Sequence, residues 1–163
     1  MTSLETESLD LDLHLGQIRF TARAAVFIVR DGQLLLNRFN DADFWFIPGG
    51  RIQTGESSEQ AARREFLEET GASLGDLRLA LVAELFGQIK GQAIHSLQFF
   101  YVAAQSPELP SGGFISDSND GVTCAWFALA DLQHLDVRPA FLVERLPALL
   151  ASPEVQHVVD YRE

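Results

Sequence analysis

Three glutamates, Glu65, Glu68 and Glu69, stand three and four residues apart in the stretch REFLEETGA. On a helix they occupy about a third of the circumference, so all three share one face. Like charges at these spacings cost roughly 0.2–0.5 kcal/mol per pair in an isolated helix. Arg64 lies one turn before Glu68 and can pair with it, but one guanidinium does not neutralise this group together with Glu56. A divalent cation does. Clustered hard oxygen ligands suit Mg2+ or Mn2+, and Mg2+ favours a few carboxylates completed by water and phosphate oxygens. The plainer alternative is a solvated acidic face on a surface helix. Pro48-Gly49-Gly50 just upstream tips the balance, because paired glycines let a main-chain carbonyl approach an ion closely.

The elements that must position these groups are legible around them. Ser57 and Ser58 are N-cap residue types, with Glu59 and Gln60 as acceptors for the first turn, and Gly71 suits the position that ends a helix. Ala62 and Phe66 flank the acidic face and Leu67 lies nearly opposite, which predicts a helix packed on more than one side.

Gly50, Glu56 and the run Arg64-Glu65-Phe66-Leu67-Glu68-Glu69-Thr70-Gly71-Ala72 resemble the Nudix box. That signature reads glycine, glutamate, arginine-glutamate, apolar, any, glutamate-glutamate, any, glycine, apolar. Every charged and glycine position matches, and a pattern fixing this many positions is far more specific than a lone glycine motif. WFIPGG before the box and WFALADL at 126–132 look like the family's flanks. The resemblance implies an α/β/α sandwich with a central mixed β-sheet over roughly residues 18–150. It further implies cleavage of a nucleoside diphosphate linked to another moiety, by attack of water on phosphorus.

In that reading Glu65, Glu68 and Glu69, with a main-chain oxygen of Gly49 or Gly50, hold Mg2+ or Mn2+. Arg64 orients carboxylates with its bidentate fork. Arg23, at the entrance of an apolar run, stands where relatives contact substrate, and Arg51 is placed to meet a substrate phosphate. The general base is a helix carboxylate or Asp120, six residues before Trp126; Asp120 beside Gly121 reads equally as a turn residue. Marks that relatives carry for ADP-ribose, NADH, coenzyme A or dinucleoside polyphosphates are absent, which leaves the substrate class open. Two other readings compete: a non-catalytic nucleotide-sensing Nudix module, and an isoprenoid diphosphate isomerase needing a reactive cysteine. Cys124, in the run CAWF, reads as packing rather than chemistry.

Composition bounds the rest. A chain of 163 residues with 47% hydrophobic content fits one domain with a substantial core. A net charge of −11 with only 12 Lys and Arg argues against a surface that wraps long nucleic acid, while small phosphorylated partners remain compatible. No apolar run reaches the length of a membrane span and MTSLETESLDLD is acidic, so a cytoplasmic protein without a membrane segment is expected.

Along the chain, residues 1–8 are expected to be disordered. LDLDLHL at 9–15 alternates as a strand with one buried face, at a sheet edge or a homodimer contact. Ile18–Val29 and Gln33–Asn37 read as strands around an Asp31-Gly32 hairpin turn. Leu77–Phe86 and Ala93–Ala104 read as a second hairpin turning through 87–91, and Gln105–Thr123 as a long loop. Cys124–Phe127 reads as a strand, Pro139–Leu150 as a helix that Pro147 weakens, and 155–163 as a strand or a free end.

Overall fold

A computed structural model describes residues 8–115 and 121–162. Strand β2 (Ile18–Phe27) is the axis of a first sheet. β1 (Asp12–Leu15) and β6 (Gly49–Arg51) lie antiparallel along one edge of β2, one after the other. On its other edge come β8 (Gln92–Ala103), parallel to β2, then β7 (Leu77–Ile89), antiparallel to β8, and β12 (Gln156–Tyr161), parallel to β7. The second sheet runs β11 (Val137–Arg138), β5 (Trp45–Phe46), β4 (Gln33–Phe39), β10 (Val122–Ala128), β9 (Phe114–Ile115), with β3 (Val29–Arg30) also on β4.

One apolar run stitches the sheets together. β2 ends at Phe27 and β3 begins at Val29, with Ile28 fully buried at the crossing. Asp31 and Gly32, at φ 51° and 73°, then turn the chain into β4, the paired left-handed geometry of a tight hairpin.

Two helices cover opposite sides. Helix α1 (Ser58–Thr70) sets Ala61, Ala62 and Phe66 against Ala24, Val26 and Leu35. Helix α2 (Phe141–Ala151) sets Leu142, Leu146 and Leu149 against Phe27, Leu81 and Phe100. Val26 and Phe27 alternate across β2, so the helices bury opposite faces of the same strand. The α/β/α arrangement expected from sequence therefore holds, its mixed sheet being divided in two.

Several local expectations change. Leu67 is 49% exposed, because α1 packs only through the flank bearing Ala62 and Phe66. The alternation at 9–15 does not bury one leucine face: Leu11 packs on the core but Leu9, Leu13 and Leu15 face solvent, while Asp12 turns inward to bind Arg19 at 2.7 Å and Arg51 at 3.1 Å. The second hairpin turns within the expected stretch, at Lys90-Gly91, both with positive φ, and β7 runs on past Phe86 to Ile89. Gly87 lies within β7, where a Cβ would stand 3.0 Å from Arg162 Cβ; the missing side chain admits the C-terminal segment. Pro147 does not end α2, and the segment after it forms strand β12. Residues 1–7, expected to be disordered, and the candidate base Asp120 lie outside the described residues.

Candidate active site

The phase of α1 is fixed at both ends. Ser57 Oγ accepts the Gln60 N–H at 3.1 Å and Gln60 Oε1 accepts the Ser57 N–H at 2.8 Å, a reciprocal capping box. Gly71 closes the helix at φ 74° and donates its N–H to the Leu67 carbonyl. With the helix so anchored, Glu65 and Glu69 turn toward β6 and β4, and Glu68 points to solvent with its side chain 55% exposed.

Glu69 is buried. Asn37 Nδ2, from the centre of β4, donates to Glu69 Oε2 at 2.6 Å, and the Gly49 N–H donates as well. Burial still pushes this carboxyl up to about 8, the nearby charge of Glu65 adds to the rise, and Arg23, Asn37 and Gly49 oppose it. Burial raises Glu65 too, against the opposing effect of Arg64. Glu65 rests on Gly50, where a Cβ would fall 2.2–2.5 Å from the carboxylate atoms, so only glycine leaves room. A Cβ on Gly49 would meet the Ala24 carbonyl oxygen at 2.2 Å. The double glycine is thus a steric requirement on two sides: Gly49 against β2 and Gly50 against α1.

Arg64 ties the loop to the helix. Its Nε and Nη2 donate to the two oxygens of Glu56 at 2.6 and 3.1 Å, Nη1 to Glu65 at 2.8 Å, and Nη2 also to the Arg51 carbonyl at 3.0 Å. Glu68 lies 3.5 Å from Nη1. The hydrogen bond to Glu56 raises the Arg64 pKa and holds the Glu56 carboxyl below its usual range.

Beside this cluster, between the inner face of the first sheet and the β5–β11 end of the second, lies a cleft of about 760 Å3. Arg23, Ser96 and Gln98 line its floor, and Phe44, Arg138 and Arg162 its walls. Arg19 and Arg51 are paired with Asp12, Arg138 with Asp136, and Arg162 with Asp160. Arg23 is different. Among the described residues its guanidinium makes no hydrogen bond or ion pair, and it feels Glu65 and Glu69 only through space. Burial and the like charge of Arg51, opposite it in the β2–β6 ladder, lower its pKa.

Among the described residues no three His, Cys, Asp and Glu side chains are gathered into a ready metal cage. What the chain offers is two inward carboxylates, Glu65 and Glu69, against the main chain of Gly49 and Gly50, with Glu68 one turn away. Their surplus negative charge is disfavoured by burial and by mutual repulsion. Such a donor set fits a hard divalent cation that keeps water and substrate oxygens in its remaining positions. Asn37 Oδ1, next to this site, is a buried acceptor without a partner among the described residues.

Of the residues singled out by sequence, Glu65, Glu69, Arg64, Gly50 and Glu56 come together, and Arg23 and Arg51 line the adjoining cleft. Sequence reasoning passed over Asn37; its one signal is a polar residue closing the apolar run LLL of β4. Of the aromatic groups, Phe44 lines the cleft beneath the Arg138 guanidinium, whereas Trp45 packs on Phe127. Cys124 is buried, its thiol pushed up to about 12 by burial and by Glu69.

Comparison with known proteins identifies the family. The chain is 47% identical over 53 residues to a putative 8-oxo-dGTP diphosphatase of Bacillus subtilis, covering 32% of this chain and 36% of that protein. It is 28% identical over 109 residues to the uncharacterized Nudix hydrolase YvcI of the same organism, 67% of this chain and 66% of that one. The chain thus spans between about a third and two thirds of these curated relatives. Its fold matches the mutator MutT protein of Bacillus halodurans with a TM-score of 0.68 at 21% identity, over 86% of this chain and 90% of that one. A MutT NUDIX hydrolase from Burkholderia pseudomallei matches at TM-score 0.53 and 29% identity, over 69% and 86%. The family model described as NUDIX domain matches residues 19–147, and the chain belongs to the Nudix family.

Proposed function

We propose that the protein is a divalent-metal-dependent pyrophosphohydrolase that cleaves a nucleoside diphosphate linked to another moiety. The observation that carries this reading is one juxtaposition. A buried carboxylate, Glu69, and a half-buried one, Glu65, meet the double glycine at the edge of a cleft in which, among the described residues, Arg23 is the unpaired cation.

Glu65, Glu69 and a main-chain oxygen of Gly49 or Gly50 would hold Mg2+ or Mn2+, with Glu68 free to join them. Such an ion, when bound, neutralises charge developing on phosphoryl oxygens and acidifies water. The chain's own groups do the rest. Arg64 keeps Glu65 and Glu56 in register, Asn37 fixes the rotamer of Glu69, and Arg23 presents a partly desolvated positive charge to a phosphate. Arg51 lends a second cation at the cleft rim, although Asp12 and Asp10 already share it. The proton of the attacking water goes to a carboxylate, from α1 or from Asp120.

Neither competing reading gains support. A nucleotide sensor need not keep every box carboxylate, and all are present here. An isomerase needs an accessible, acidic thiol, and Cys124 is buried with its thiol pushed up. A single cysteine is ordinary in the reducing cytoplasm, where we place the protein; no helix among the described residues is long and apolar enough to cross a membrane.

The test is a panel of nucleoside triphosphates, oxidised purine nucleotides, nucleotide sugars and dinucleoside polyphosphates with Mg2+ or Mn2+, products being identified by chromatography. Metal-dependent release of a nucleoside monophosphate from at least one of them is expected. Inertness toward every diphosphate would overturn the reading.

A further inference from the structure

We infer that the outer face of the first sheet is the contact surface between two copies of this chain. The inference stands apart from the proposed chemistry, because the residues involved point away from the floor of the cleft.

Residues alternate across each strand of that sheet. One face carries Arg23, Ser96 and Gln98 into the cleft, so Phe20, His95 and Leu97 belong to the other. The strand registers align Leu13 with Phe20, Phe20 with His95, His95 with Phe86 and Phe86 with Tyr161, a continuous row across five strands. The rings touch along it. Phe20 meets His95 edge-on at 5.1 Å, His95 stacks on Phe86 at 4.4 Å, and Phe86 stacks on Tyr161 at 5.1 Å. Leu15 and Ile18 flank the row on one side, and Leu97 and Val159 on the other.

Helix α1 covers this face only at the Tyr101 end, where Ser58 and Tyr101 hydroxyls meet at 2.6 Å. The remainder is open among the described residues: Leu13 is 44% exposed, Leu15 62%, Ile18 49%, Val159 45% and Tyr161 77%. An apolar expanse of this kind on a globular fold marks an interaction site.

Charge, symmetry and area favour a second copy as the occupant. The chain carries −11, so two copies repel except where charge is sparse. Here Glu84 is engaged in a hydrogen bond with His157 at 2.6 Å. The row is apolar at both ends, so a two-fold axis running along the central strand β8 lays Leu13 of one protomer on Tyr161 of its partner, an isologous contact. Five strands by three residue pairs measure roughly 24 Å by 20 Å. Two such footprints remove on the order of 1,000 Å2, enough for a weak but specific dimer. A lipid surface, usually anionic, does not suit so acidic a protein.

The test is sedimentation of the full chain between about 1 and 200 µM, where an interface of this size dissociates. The wild type should pass reversibly from monomer to dimer. Leu13→Lys and Tyr161→Glu should each remain monomeric with the unfolding midpoint unchanged, since both sites are exposed. The doubly substituted chain should recover the dimer, because the ammonium introduced on β1 of one protomer then faces the carboxylate introduced on β12 of the other. Within one chain these sites stand about 19 Å apart and cannot pair. A wild type monomeric throughout, or a dimer that survives both single substitutions, would overturn the inference; so would a face that takes up only vesicles or unrelated proteins.

Discussion

Asn37 Nδ2 and Glu69 Oε2 lie 2.6 Å apart in a buried pairing that joins the second sheet to the acidic helix. The amide sits on β4 and the carboxylate on the last turn of α1, 32 residues later. This bond helps hold the Glu69 rotamer in which the carboxylate also accepts the Gly49 N–H. Asn37→Ala frees that rotamer and strips a buried carboxylate of a donor, a change that typically costs about 1–3 kcal/mol. The expected outcome is a kcat lowered about tenfold, equivalent to ~1.4 kcal/mol of barrier, together with a lowered unfolding midpoint. Steady-state kinetics and thermal denaturation check the two halves.

Stability of the metal-free protein should depend on pH through Glu69. The folded-state value of about 8 lies above the ordinary 4.5, so between them the folded chain holds a proton that the unfolded chain has released. Stability from this group is therefore full below about 4.5, declines as pH rises, and is exhausted above about 8. In chelator, thermal midpoints should fall across that window, and Glu69→Gln should flatten the slope and raise the midpoint at its upper end. Adding Mn2+ to the wild type should abolish the decline, since a bound cation favours the ionised carboxylate. An identical slope in the variant would contradict the assignment.

Gly50→Ala places a methyl group 2.2–2.5 Å from the Glu65 carboxylate, a distance that forces the side chain to move. The site should lose turnover by about a hundredfold or more, the scale of losing one group that meets the transition-state charge, while circular dichroism shows the helix intact. Full activity with alanine at this position would show that Glu65 need not lie against the glycine.

Arg23 is half-buried without a partner among the described residues, a poor arrangement for stability and a useful one for binding an anion. Arg23→Met should leave the unfolding midpoint unchanged or raise it, while KM for a pyrophosphate substrate rises about tenfold or more, ~1.4 kcal/mol. Arg23→Lys should recover part of the loss. Equal KM values for all three would remove Arg23 from the binding surface.

Legibility in the sequence followed the range of each physical cause. The box was readable because its requirements are local: a serine cap whose partner lies three residues on, a glycine that must be left-handed at Gly71, carboxylates three and four residues apart. The Asp31-Gly32 turn was readable for the same reason. Asn37 was not, because its partner is remote in sequence and a single amide in an apolar strand has no periodicity. The inward turn of Asp12 defeated an alternation argument that places leucines inside; two arginines on neighbouring strands outweigh a leucine face with no helix to cover it. Leu67 misled similarly, since helical spacing says which residues share a side, not which side finds a neighbour. Gly87 read as a turn because the strand it accommodates pairs in parallel from the far end of the chain, a relationship no local pattern encodes.

The central claim is that the α1 carboxylates act by holding a divalent cation against a pyrophosphate. Its most direct test is Mn2+ affinity, followed by electron paramagnetic resonance, and Mn2+-dependent turnover, measured on the wild type and on Glu65→Gln, Glu68→Gln and Glu69→Gln. All three variants should stay folded, and Glu65→Gln and Glu69→Gln should bind Mn2+ more weakly. Each of the three should turn over at least about tenfold more slowly, ~1.4 kcal/mol of barrier. Wild-type affinity and wild-type turnover in Glu69→Gln would contradict the account.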